Sequence, residues 1–272
     1  MSNKHVMLSL PSSLCIEHLP WPRVKELQRA CSLLVLPLGA TEQHGPALPI
    51  NTDTVIADAL CREACARTGV AMAPVMPFTS SSGHSTKWPG TFSLTPKTFI
   101  DSLVQLAKWA QATGWTRLYL VNAHAGNDAP LRVAVEQVRM ELMGQLQIGY
   151  SNTFFMSKAI EAHFTQDAVD LHANKGECDL MLHLSPESVD QQALAGADDP
   201  DRTTQTVFCY PVSQTSLNGA TGQASRGNAA DGEQLFERMV TALVQILERA
   251  KTEDAPLPRS EWAGAPAHFY TS

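Results

Sequence analysis

Apolar residues recur along this chain in two patterns, unbroken short runs and helix-spaced stripes, with Gly-, Pro- and Ser-rich stretches between them. Leu33, Leu34, Val35 and Leu36 form an unbroken run, as a strand covered on both faces of a parallel sheet requires. Residues 70–75 predict a second strand, whose end Pro74 and Pro77 make irregular or place near an edge. Leu118, Leu120 and Val121 predict a third, and residues 148–155 a fourth. Between these runs the spacing turns helical. Trp21-Pro22 opens a short helix over 23–31, and Val55, Ile56, Ala59 and Leu60 begin one that ends near Gly69. Thr95-Pro96 starts another, with proline early, where its missing amide costs nothing; Phe99, Ile100, Leu103, Val104, Leu106 and Ala107 give it a broad apolar face, and Gly114 ends it. Ala129, Leu131, Val133 and Val135 lead a helix to about Gly144, Leu180, Met181 and Leu184 mark the next, and 235–247 carry the last, expected to close against the sheet.

Strands alternating with helices predict an α/β fold around a parallel sheet. The polar stretches 78–93 and 195–229 read as long loops, and Glu161, His163 and Asp167 as part of a polar connection. With neither an internal repeat nor a break in composition, residues 1–272 are expected to form a single domain, with 1–20 an N-terminal arm and 252–272 a C-terminal tail.

Composition narrows the function classes. The net charge is −7, and without a Lys/Arg run the chain is not expected to bind nucleic acid or a membrane surface. The N-terminal stretch is too short and too interrupted for a secretory signal or a spanning helix, so a cytoplasmic location is expected. The six cysteines lack Cys-x-x-Cys spacing, which argues against a zinc ribbon or a disulfide framework. Cys61 and Cys65, one helical turn apart, read as buried small residues. Cys178 stands beside a candidate ligand.

The candidate chemistry gathers where strands end. Glu42 and His44 follow the first strand and Gly39; in an extended chain they point to one side, forming a wall of a divalent-metal site. Asp53 comes where the helical spacing begins and is either a ligand or a helix N-cap. Asn122, His124 and Asn127 occupy the turn after the third strand, on the carboxyl edge where open α/β sheets bind ligands. His172 and Glu177 are five apart with Gly176 between them, and a carboxylate at Glu177 also suits a helix start. In the 78–93 loop, His84 and Trp88 could contact a ligand and Gly90 permits close backbone approach. His183 reads as a packed histidine.

Four motifs come in a telling order: residues 39–46 (GATEQHGP) with Thr52-Asp53-Thr54, then Trp88-Pro89-Gly90-Thr91, then residues 122–127 (NAHAGN), then His172-Ala173 with Glu177. Over roughly residues 30–250 the chain resembles the creatininase (creatinine amidohydrolase) family. The resemblance implies a three-layer α/β/α sandwich with a mostly parallel central sheet, assembly as a homohexamer, and hydrolysis of C–N bonds in cyclic or linear amides. It also implies two divalent metal ions per subunit, zinc with zinc, manganese or iron. Carried onto this sequence, Glu42, Asp53 and His124 would hold one ion, and His44 with a bridging Asp53 the second, Glu177 matching a glutamate beside it. His172 would carry a proton to the leaving nitrogen, with Asp170 orienting its ring. Creatininases proper have a metal-binding glutamate where this chain has Gly126, so the expected substrate is another amide: a formamide, a lactam-like ring or a small peptide. Lys175 also departs from the family pattern; it either turns away from the metals or recognises an anionic group of the substrate, and the second is the working expectation. Two alternatives accompany this reading: a creatininase-like peptidase that trims a precursor peptide, and a catalytically idle metal-binding subunit.

Overall fold

The computed structural model describes residues 14–84 and 86–263; the start of the expected arm and the end of the expected tail lie outside the described residues. Four strands form one sheet in the order β2-β1-β3-β4: β1 Leu33–Leu38, β2 Ala71–Met72, β3 Arg117–Asn122 and β4 Gln147–Asn152. Every pairing is parallel, with Leu33 to Leu38 of β1 opposite Arg117 to Asn122 of β3. The two ends of this register carry different tasks. Buried apolar residues fill β1, while Leu38 and Asn122 end side by side and release their chains at one edge.

The helices are α1 Trp21–Ala30, α2 Thr52–Thr68, α3 Pro96–Ala112, α4 Asp128–Glu141, α5 Lys158–Phe164, α6 Lys175–Leu184, α7 Gln191–Leu194, α8 Val212–Thr215 and α9 Ala229–Ala250. Two cores face the sheet, so the architecture is three-layered. Leu33, Val35 and Val121 point into one with α2, α6 and α9, whereas Leu34, Leu36, Leu118 and Leu120 point into the other with α3 and α4. Alternate side chains of one strand thus serve opposite layers, the reason β1 has no polar position. Fully buried residues such as Leu38, Phe99 and Leu235 each contribute about 1.5–3 kcal/mol by leaving water.

Some expected boundaries move. The second strand spans Ala71–Met72 alone, because it is the edge strand and Pro74 cannot extend the ladder. The fourth ends at Asn152, and residues 153–155 turn into a 3-10 helix. Glu161 and His163 lie in α5 rather than in an irregular connection, started by the Ser157 side chain accepting from the Ile160 amide. Cys61 and Cys65 are buried free thiols, pushed up in pKa by that burial. None of the helices among the described residues is long and apolar enough to cross a membrane.

The chain leaves β1 for β2 on one side and returns past it to β3 on the other. This reversal opens a crevice between the carboxyl ends of β1 and β3, where parallel α/β sheets place ligands. The candidate residues gather there.

Candidate metal centre

Gly39 sets the path out of β1. A Cβ at this position would lie 2.5 Å from Thr54 Cα, so only glycine lets the turn pass against α2. Thr54 Oγ1 then donates to Ala40 O at 2.8 Å. The chain after the turn therefore crosses the first turn of α2, and Glu42 and His44 come to face Asp53. Of the two readings of Asp53, the N-cap does not hold. Asn51 occupies the cap, Asp53 lies inside the helix, and its carboxylate is 1 % exposed between two imidazoles.

Its two oxygens address different partners. Oδ1 is 3.3 Å from His44 Nε2, and Oδ2 is 3.3 Å from His124 Nδ1. Glu42 Oε1 lies 3.2 Å from His124 Nδ1 and 4.0 Å from His44 Nε2, and Glu177 Oε2 completes the group 3.9 Å from His44 Nε2. Glu42, Asp53 and His124 bring ligand atoms within 4.8 Å of one another, and so do His44, Asp53 and Glu177. A third triplet, Glu42, His44 and His172, overlaps both.

The surrounding contacts hold the rings in a ligating pose. His44 Nδ1 lies 3.1 Å from Glu42 O, and His124 Nε2 lies 3.0 Å from Ser80 O, with Ser81 Oγ at 3.3 Å. In each case one nitrogen engages a backbone carbonyl and the other is turned inward, as around ligating histidines. Asparagines brace the His124 turn: Asn122 Nδ2 donates to His124 O at 2.7 Å, and Asn127 Nδ2 donates to Asn122 Oδ1 at 3.0 Å. Gly126 belongs to this design. A Cβ there would lie 2.5 Å from His124 Nε2 and 3.0 Å from Ser80 O, so a side chain would push the ring off its carbonyl.

Both oxygens of Glu42, His44 Nε2 and Asp53 Oδ2 are buried without a hydrogen-bond partner among the described residues. Such atoms are costly unless something compensates them. Carboxylate and imidazole donors aimed inward suit first-row divalent ions, so the residues present fit a metal pair. The protonation pattern agrees. Burial opposes a charge on His44, but Asp53, then Glu177 and Glu42, outweigh it and lift the imidazole to about 10. His124 is raised well above its ordinary value in the same way, with Glu42 and Asp53 overcoming burial. Burial would raise Asp53, yet His44 and His124 hold it well below the usual carboxylate range. Glu177 is pushed up to about 7, chiefly by burial. Without a cation, protons thus balance the carboxylates.

Zinc binding at pH 7 is therefore expected to release more than one proton per chain, from His44, His124 and Glu177, and to strengthen as pH rises above 7. Calorimetry in buffers of different ionisation enthalpy measures this directly; zinc uptake without proton release would contradict it.

His172 reaches the cluster with Nδ1 3.4 Å from Glu42 Oε1. Gln43, not Asp170, orients its ring: Gln43 Nε2 is 2.8 Å from His172 Nε2 and donates to Gly219 O at 3.0 Å, while Gly45 N donates to Gln43 Oε1 at 2.9 Å. Asp170 lines the cleft farther out. Gln43 went unrecognised in the sequence although it lies between Glu42 and His44; its alternation to the other side was the available signal. Ser80 and Ser81 carried no signal beyond a polar loop. His84 is brought in, its ring centroid 4.2 Å from that of His172 and its Nε2 3.6 Å from Glu42 Oε2. Trp88 is not among the cleft residues; its ring lies under Lys87 Nζ. Cys178 is turned to Ala173 O, and His183 packs by Phe236. Ala173 makes a left-handed turn at φ 50° and donates its amide to Glu177 Oε2, while Gly176 lies inside α6.

Of the two orientations open to Lys175, the structure has the one turned away from the cluster, not the anion-binding one. Lys175 Nζ bonds Asp179 Oδ2 at 2.6 Å and Asp231 Oδ2 at 2.8 Å, joining α6 to α9. Asp179 also meets His163 Nε2 at 2.7 Å. Lys175→Ala should leave KM unchanged and lower unfolding stability by about 2 kcal/mol, because buried Asp179 loses its ammonium partner while keeping His163 and the Asn228 amide. Urea unfolding and steady-state kinetics check the two halves.

Residues 17–247 match the family model described as Creatininase: Creatinine amidohydrolase. The chain is 32% identical to a mycofactocin precursor peptide peptidase of Mycobacterium tuberculosis (strain ATCC 25618 / H37Rv) over 229 residues, covering 79% of this chain and 84% of that one. It is 24% identical to a creatinine amidohydrolase of Pseudomonas putida over 231 residues, covering 79% and 88%. A solved structure titled Creatininase Mn superposes with TM-score 0.77 at 22% identity, covering 88% of this chain and 99% of that one. The class is that of hydrolases acting on carbon–nitrogen bonds. Within it, the chain belongs to the creatininase family.

Proposed function

We propose that this chain is a metal-dependent amidohydrolase that cleaves the C–N bond of a small cyclic or linear amide other than creatinine. The observation that carries the proposal is the pair of ligand triplets sharing Asp53, with buried inward atoms that have no hydrogen-bond partner among the described residues. In this reading Glu42, Asp53 and His124 hold one ion, and His44, Asp53 and Glu177 the other, zinc with zinc, manganese or iron. Divalent ions held there would supply Lewis-acid chemistry, lowering the pKa of a water and polarising the amide carbonyl.

The protein's own groups do the rest. His172 Nδ1, facing the cluster, is the atom placed to carry a proton from the attacking water to the nitrogen that leaves. Glu177, set by the Ala173 amide, adds a carboxylate to the reacting volume. Gln43 keeps the His172 ring in register. Burial of Glu42, Asp53 and His44 excludes bulk water and strengthens every interaction among them.

A second reading, trimming of a precursor peptide, is favoured by the M. tuberculosis relative and by the cleft, whose volume of about 650 Å³ exceeds what a formamide fills. Assembly as a homohexamer belongs to the same proposal; Trp21 and Trp109 are large apolar surfaces that assembly would cover. The test is metal content by mass spectrometry on protein purified without chelator, joined to turnover of formamides, cyclic amides and peptides. Near two ions with turnover of one substrate class supports the proposal. Metal without turnover favours the idle binding subunit, and absence of metal overturns the mechanism.

A further inference from the structure

The cleft above the cluster has walls that the chemistry at its floor does not use. Ile100 of α3, Pro130 and Val133 of α4, Leu171 and Tyr210 supply apolar lining. Val133 is 53 % exposed and Tyr210 45 %, so both turn apolar surface to open solvent at the mouth of a buried polar site. The charged side chains that line the cleft are Glu42, Asp53, Asp170 and Glu177; no Lys or Arg of the described residues does. Asp170 stands next to Leu171 on the wall and repels a second carboxylate. A substrate reaching up from the floor thus meets apolar surface and negative charge.

We propose that these walls form a subsite for a bulky apolar side chain next to the scissile bond, so that the substrate is a linear amide of peptide type with an uncharged apolar residue there. The inference rests on the amidohydrolase reading of the floor. It adds which residues select the substrate: the exposed Val133 and Tyr210, with Ile100 of the same cleft. Such a subsite discriminates by burying apolar surface, and one aliphatic side chain then changes kcat/KM by about 10- to 200-fold.

The test uses full-length protein purified without chelator and a matched set of linear peptide amides differing at the flanking residue: Leu, Phe, Gly, Asp and Lys. Wild type is expected to favour Leu and Phe over Gly and Asp by at least about tenfold in kcat/KM. Val133→Asp should erase the preference for Leu over Asp and Val133→Leu should retain it, both with metal content equal to the parent. A flat profile in wild type, or a preference unchanged in Val133→Asp, overturns the subsite while leaving the amidohydrolase reading intact. Failure of the metal-loaded protein to cleave any member while it turns over a formamide or a cyclic amide overturns the subsite alone; failure on all three substrate classes overturns the reading of function with it.

Discussion

Asp53→Asn is expected to empty both metal positions at once, with metal content falling from near two ions per chain to well below one and kcat/KM falling by at least about 10³-fold, or ~4 kcal/mol. The substitution keeps the side chain's shape but replaces one oxygen with an NH₂ group that cannot ligate. Each Asp53 oxygen lies 3.3 Å from a different imidazole, and Asp53 is the member common to the Glu42/Asp53/His124 and His44/Asp53/Glu177 triplets. Glu42→Ala, by contrast, removes a member of one of the two Asp53 triplets. Mass spectrometry on chelator-free protein reads the metal, and a circular dichroism melt verifies the fold. Retention of both ions in Asp53→Asn would show that Asp53 is not the bridge.

The second large effect is expected at His172. His172→Ala should lower kcat by about 10²- to 10⁴-fold, the usual range for loss of a proton carrier, while both metals stay bound. Geometry alone allows a competing role, because His172 also forms a triplet with Glu42 and His44. The competing outcomes separate cleanly: a ligand takes metal with it when removed, and a proton carrier does not. Burial, then His84, His44 and His124, push the His172 imidazole well below its ordinary value, opposite to the shifts of His44 and His124. His172 is thus the site histidine least able to balance the carboxylates with a proton of its own. Gln43→Ala should reproduce part of the kcat loss, since the ring would keep its chemistry and lose its brace.

Much of this molecule was legible in the chain. The runs around Leu33 and Leu118 set the strands, because only segments covered on both faces can be so continuously apolar. Thr95-Pro96 and Gly69 marked helix ends by local backbone chemistry. Glu42, His44 and His124 could be placed on one edge of a parallel sheet, since strand direction dictates where every loop of one kind emerges. The short α5 went unread because its apolar spacing covers less than two turns, too few for a period to show.

Local pattern, then, determined the class of fold, the edge that carries the chemistry and the residue types assembled there. Tertiary structure alone decided where individual side chains went. Asp53 is a shared carboxylate rather than a cap because Gly39 lets the β1 turn lie on α2 and bring His44 to it. Lys175 and Glu177, two residues apart, diverge because a helix rotates successive residues by about 100°, which sends Glu177 to the cluster and Lys175 to Asp231 of α9. Gln43 rather than Asp170 holds His172, since the partner of that ring depends on which loops converge above the sheet. Sequence period records how a segment sits on its own layer; it does not record the meeting of groups that lie more than a hundred residues apart, as Gln43 and His172 do, and that meeting defines the site.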